Sequence, residues 1–126
     1  MYYVAIFFGG GIGSILRYLL SSQITYAMNT LYPVGTLTVN FIGSFLIGLS
    51  YEIFEQTIIS PEIRVFFATG FLGGFTTFSN FALENANLLR GTEYQNLALN
   101  LVVQNGGGLI LALTGIFCAR FILKFI

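Results

Sequence analysis

Gly70-Phe71-Leu72-Gly73-Gly74-Phe75-Thr76-Thr77-Phe78-Ser79-Asn80-Phe81-Ala82-Leu83-Glu84 lies inside a long apolar segment, and glycines and hydroxyls interrupt it midway. Backbone released from a helix in hydrocarbon has no water to bond, so it must find partners in protein, in a wet cavity or in an ion. A broken membrane helix is therefore a binding-site candidate on its sequence alone.

The rest of the chain fits a membrane setting. Of 126 residues, 56% are hydrophobic and only 8% are charged, whereas a soluble domain carries roughly 25% charged residues. That leaves too little polar surface to face water, and an integral membrane protein follows. Five basic and five acidic residues cancel. Nucleic acid needs clustered Lys and Arg, so it is not an expected partner. There is no His, which removes the commonest general base and a common metal ligand. The single Cys118 makes no intrachain disulfide and no metal motif; it reads as a small buried apolar residue. No nucleophile–base pair or metal cluster is visible, so an enzyme is not expected.

Four apolar stretches stand out, from about Tyr2 to Ser22, Gly35 to Tyr51, Ile63 to Leu89 and Leu97 to Phe121. A spanning helix needs about 20 residues, and all four can reach. The first has no positive residue before Arg17 and exceeds a signal-peptide core, so it is expected to be a retained helix. Gln23 to Pro33 suits a turn or a short interfacial piece. Ser60-Pro61-Glu62-Ile63 reads as an N-cap followed by Pro at the first helical position. Arg90-Gly91-Thr92-Glu93 reads as a helix end with a glycine stop. One transmembrane domain over 1–126 is expected, with no linker or internal repeat.

Orientation is weakly specified. Four spans put the N-terminus, the second connection and the C-terminus on one side with Arg64, Arg120 and Lys124, and Arg90 on the other. The positive-inside rule acts through that difference, which is small here. Such a chain can insert both ways up and pair with its inverted copy about an axis in the membrane plane.

Small residues recur four apart, as Gly9 and Gly13, Gly70 and Gly74, and Ser44 and Gly48, and Gly106, Gly107, Gly108 and Gly115 thin the fourth span. This spacing lets membrane helices approach closely. Gly9 to Ser14 could be taken for a nucleotide loop, but no strand precedes it.

Polar groups in lipid are costly and face a protein interior or an ion path. Thr36, Asn40, Ser44 and Gly48 share one helical face, and Asn100, Gln104 and Gly108 form a second stripe. Phe78 and Phe81, three apart, share a face. Two aromatics at that spacing are more often the mark of a packed core. Ring edges are electropositive, however, so an anion could pass along them while amides and hydroxyls donate hydrogen bonds. The absence of a fixed cation ring would spare the ion from being trapped.

These motifs resemble those of the Fluc (CrcB) fluoride channels. Gly73-Gly74-Phe75-Thr76-Thr77-Phe78-Ser79-Asn80-Phe81 with Glu84 resembles the GGxTTFSTF…E signature. Gly35-Thr36-Leu37-Thr38-Val39-Asn40 resembles GTLxVN, and Gly9-Gly10-Gly11-Ile12-Gly13-Ser14-Ile15-Leu16-Arg17-Tyr18 resembles GGxxGAxxRY. The motifs anchor three of the four spans, in order. The resemblance implies an all-α integral membrane protein of the cell (plasma) inner membrane, with four transmembrane helices, a break in the third and an inverted homodimer. It implies a passive fluoride channel with two pores that exports cytoplasmic fluoride. It also implies a structural sodium ion (Na+) at the dimer centre, held by carbonyls of Gly73 and Thr76. Phe78 and Phe81 would be the aromatic box and Asn40 the pore amide, with Thr36, Ser79, Asn80, Asn100 and Gln104 along the fluoride path. Arg17 and Glu84 match charged family positions. Asn80 replaces the usual Thr, and Asn100 and Gln104 stand where the family often has Tyr and Ser; amides keep the donors.

Two other functions compete. A small multidrug-resistance-type, proton-coupled exporter is also four-spanned, but it needs a carboxylate in the first span, which carries Arg17 and no acid. A non-transporting scaffold subunit would explain the glycines but not polar stripes on three helices.

Overall fold

An apolar run charged only at Arg17 folds as one helix, α1, Tyr2–Met28. It continues past Ser22 and takes up most of the first connection. It ends at Asn29, whose φ of 43° is left-handed and lets its N–H donate to the Thr25 carbonyl at 3.2 Å. Asn tolerates that conformation better than most residues. The computed structural model describes residues 1–125, which contain helices and turns and no strand.

The second helix, α2, covers Val34–Gln56, just beyond Pro33. The third, α3, covers 61–75. Its start matches the sequence expectation: Pro61 takes the first position, and the Ser60 hydroxyl accepts the Ile63 N–H at 3.4 Å. Over Val65–Leu72 the helix widens into π turns before Gly73–Phe75 tightens again. Periodicity did not predict this widening. It coincides with the contact with α1, so tertiary packing sets it. At Thr76 and Thr77 the backbone is extended (φ −85°, ψ 159° and φ −148°, ψ 116°). Helix α4, Phe78–Arg90, then resumes, with the Thr77 hydroxyl accepting the Asn80 N–H at 3.2 Å. It stops at Gly91 as expected, but the left-handed residue is Thr92, φ 57°, not the glycine. The last helix, α5, covers Tyr94–Leu123, with a second π stretch at Val103–Gly107.

Helices α1, α2 and α5 are each long and apolar enough to cross a membrane; α3 and α4 are shorter and meet at the extended Thr76 and Thr77. The glycine spacings become two tight helix pairs. A Cβ on Gly9 would lie 2.4 Å from the Phe66 carbonyl oxygen, and one on Gly74 2.5 Å from that of Gly10, so α1 and α3 touch backbone to backbone. Between α2 and α5, a Cβ on Gly48 would lie 2.0 Å from the Ala112 oxygen, and one on Gly115 2.2 Å from that of Phe45. Large apolar side chains such as Phe7, Leu109 and Phe117 point outward, as lipid contact requires. At one end Arg120 donates to Glu52 at 2.8 Å and Arg64 lies 3.9 Å from Glu55. The end of α2, the start of α3 and the end of α5 therefore meet at one end of the bundle.

Candidate functional site

The break needs a partner for its freed backbone, and Asn40 on α2 supplies it. The Thr77 N–H donates to Asn40 Oδ1 at 2.8 Å, and Asn40 Nδ2 donates back to the Thr77 carbonyl at 3.1 Å. The same Nδ2 donates to Gln104 Oε1 on α5 at 2.9 Å. Gln104 Nε2 donates to Asn100 Oδ1 at 3.2 Å, and Asn100 Nδ2 to Asn85 Oδ1 at 2.9 Å. Asn85 Nδ2 closes the path on the Phe81 carbonyl at 2.8 Å. Four amides on three helices thus join the break to the first turn of α4. Asn100 is 0% exposed, so the polar stripe of α5 is satisfied within the chain itself. Burying these groups unpaired would cost roughly 1–3 kcal/mol each.

Beside this relay lies an open groove of about 390 Å³. Asn40, Gly73, Thr76, Phe78, Phe81 and Gln104 line it, among others. The Phe78 and Phe81 rings are 5.6 Å apart at 46°. Phe81 is 8% exposed, whereas Phe78 is 78% exposed and stands at the surface of the chain. The break also divides the helix dipoles. The carbonyl end of α3 carries partial negative charge, and the N-terminus of α4 partial positive charge, so cations are favoured at the first and anions at the second.

The carbonyl end is partly occupied. Arg17 Nη1 donates to the Thr76 oxygen at 3.4 Å and Ser14 Oγ to the Gly74 oxygen at 3.5 Å, both long. The Gly73 and Phe75 oxygens accept no hydrogen bond among the described residues. No group of three or more acidic, His or Cys side chains gathers among the described residues.

The remaining sequence-predicted residues stand away from the groove wall. Thr36 is buried and its hydroxyl donates to Glu84 Oε1. Glu84 Oε2 is buried without a hydrogen-bond partner among the described residues. Ser79 Oγ lies 3.2 Å from Thr77 Oγ1, and Asn80 is exposed. Asn100 sits behind the groove. Sequence reasoning missed Asn85. Its signal is a second amide in an apolar span, one helical turn after Phe81.

The chain matches the family model described as CrcB-like protein, Camphor Resistance (CrcB), over residues 4–116. It is 44% identical over 118 residues, covering 94% of this chain and 92% of the relative, to a Parabacteroides distasonis protein named fluoride-specific ion channel FluC. A Chlorobium chlorochromatii protein of the same name is 45% identical over 89% of this chain and 87% of the relative. One from Maridesulfovibrio salexigens is 37% identical over 97% of this chain and 98% of the relative. The chain is a multi-pass membrane protein and belongs to the CrcB family.

Proposed function

We propose that this chain is a passive, fluoride-selective ion channel of the plasma membrane, with 1–126 as one channel domain, and that it catalyses no reaction. The observation that carries the proposal is the break at Thr76–Thr77, beside which two aromatic rings and the amides of Asn40, Gln104 and Asn105 line one groove, in a chain whose relatives bear the fluoride-channel name.

Fluoride holds its water tightly, so a path must offer other donors and polarised edges in exchange. Phe78 and Phe81 present rings whose edges attract an anion, and the N-terminus of α4 adds its partial positive charge. Asn40 and Gln104 form the amide wall. Thr36, Ser79, Asn80 and Asn100 act behind or beside it. Conduction also needs easy exit, and no Lys or Arg lines the groove. Arg17 sits instead against the Thr76 carbonyl; with Glu84 it contributes charge near the path.

The groove is open and Phe78 is exposed, which suits closure by a second, inverted copy. The dimer would then carry two pores. The unpaired Gly73 and Phe75 carbonyls, and the remaining lone pair of Thr76, fit half of an oxygen-only cation site. Gly73 and Thr76 of both copies would hold a sodium ion. Such an ion supplies positive charge that offsets the freed carbonyls. Oxygen ligands without carboxylates suit a monovalent cation better than a divalent one.

Purified protein in liposomes loaded with fluoride or chloride tests this function. A fluoride electrode should record efflux with no pH gradient imposed, while chloride stays inside. The absence of fluoride efflux, or efflux that appears only with a proton gradient, would overturn it; the second result would favour the proton-coupled exporter.

A further inference from the structure

Arg17 stands well inside α1 and is the only charged side chain of that helix. A cation within a membrane span is costly and calls for a partner. Arg17 pairs with no carboxylate among the described residues. Its one hydrogen bond among them is the long donation to the Thr76 oxygen, so most of its five N–H groups are unused. That oxygen lies at the end of α3, where the helix dipole is negative. The Gly73 and Phe75 oxygens of the same turn accept no hydrogen bond among the described residues. Ser14, three residues before Arg17, donates to the Gly74 oxygen but brings no charge. The guanidinium is therefore the one full positive charge that touches the freed carbonyls among the described residues.

Resting on the oxygen site proposed above, we infer that Arg17 is the break's own counter-cation: it offsets the carbonyl end of α3 within a single chain and opposes the binding of sodium there. Gly73 and Thr76 line the groove, whereas Arg17 reaches Thr76 from α1 and is not a groove residue. A carbonyl oxygen has two lone pairs, so Thr76 can serve the guanidinium and an ion together. The two cations answer the same need, and each reduces what the other contributes. Before a second copy and an ion arrive, Arg17 supplies the positive charge that the freed oxygens lack. Once sodium is bound, two like charges lie close to one oxygen and repel. The coupling is negative, and as a free energy it has the same size read from either cation.

Thermal unfolding in detergent across a sodium titration, with a bulky organic cation holding the ionic strength, reads that coupling. Without sodium, Arg17→Met should unfold at a lower temperature than wild type. Sodium should then raise its unfolding temperature by more, narrowing the gap. The half-saturating sodium concentration should fall about tenfold or more, as removal of a like charge at close range implies. Arg17→Lys, which keeps the charge, and Ser14→Ala, which removes a neutral donor, should both respond to sodium like wild type. A merely structural role would lower the unfolding temperature of Arg17→Met equally at every sodium concentration. That result, or a weaker sodium response than wild type, would overturn the inference and leave the oxygen site standing. If Arg17→Met does not fold, wild type decides. Its Arg17 guanidinium ¹⁵N resonance, assigned by elimination with Lys variants of Arg64, Arg90 and Arg120, should move saturably with sodium; a fixed resonance would overturn the inference. If wild type and all variants ignore sodium, the oxygen site falls and this inference with it, while fluoride efflux from liposomes judges the channel function separately.

Discussion

Asn40→Asp exchanges one nitrogen for one oxygen at the point where α2 grips the break. The Thr77 N–H keeps its acceptor, because Oδ1 is retained. Two donations vanish, to the Thr77 carbonyl at 3.1 Å and to Gln104 Oε1 at 2.9 Å. The new oxygen faces both of those acceptors. Gln104 cannot simply turn over to help, because its Nε2 is committed to Asn100. Each buried acceptor left unpaired costs about 1–3 kcal/mol, so the variant loses roughly 2–6 kcal/mol at neutral pH, a large part of a stability of about 5–15 kcal/mol. Protonating the introduced carboxyl restores one donor. Thermal unfolding of both proteins in detergent, at neutral and mildly acidic pH, reads this out. The deficit should shrink as pH falls. A variant as stable as wild type at neutral pH, or one whose deficit grows in acid, would refute the hydrogen-bond accounting at the break.

The other predictions concern packing, the ion pair and the cation. Gly115→Ala should destabilise by about 1–3 kcal/mol through overpacking, since its Cβ would sit 2.2 Å from the Phe45 oxygen; Gly11→Ala, which meets nothing within 4 Å, should be neutral or gain up to about 1 kcal/mol in helix propensity, both read by thermal unfolding in detergent. Arg120→Met should lower the unfolding temperature, because it takes from Glu52 the guanidinium that donates to it at 2.8 Å; Glu52→Gln in the same background should recover part of the loss in the same assay. Replacing sodium on both sides of the liposome by a bulky organic cation should reduce fluoride efflux, as the oxygen site of Gly73 and Thr76 would then be unfilled.

Much of the scaffold was legible because it rests on local chemistry. The Ser60-Pro61 start needs only a capping hydroxyl and a residue with no N–H. The interruption at Thr76–Thr77 announces itself as glycines and hydroxyls in an apolar run. The glycine spacings point to close helix contact, although which helix meets which is a tertiary matter: Gly9 finds α3, and Gly48 finds α5. The π stretches at Val65–Leu72 and Val103–Gly107 were not legible, since no residue there specifies a wider turn. At the site, Asn40, Asn100 and Gln104 stand out as intramembrane amides, but a sequence does not say what an amide bonds. That depends on the register of α4 against α5, which brings Asn85 to Asn100. Arg17 likewise reaches the Thr76 carbonyl across a sequence gap that no periodicity spans.

The central claim is that the ring pair beside the broken helix carries fluoride. Its most direct measurement is electrode-recorded fluoride efflux from liposomes holding wild-type protein, Phe78→Ile or Phe81→Ile, each checked for the same oligomer by size exclusion. Wild-type protein should empty the liposomes of fluoride, and both variants should be slowed sharply while keeping their assembly. Equal efflux from all three would contradict it.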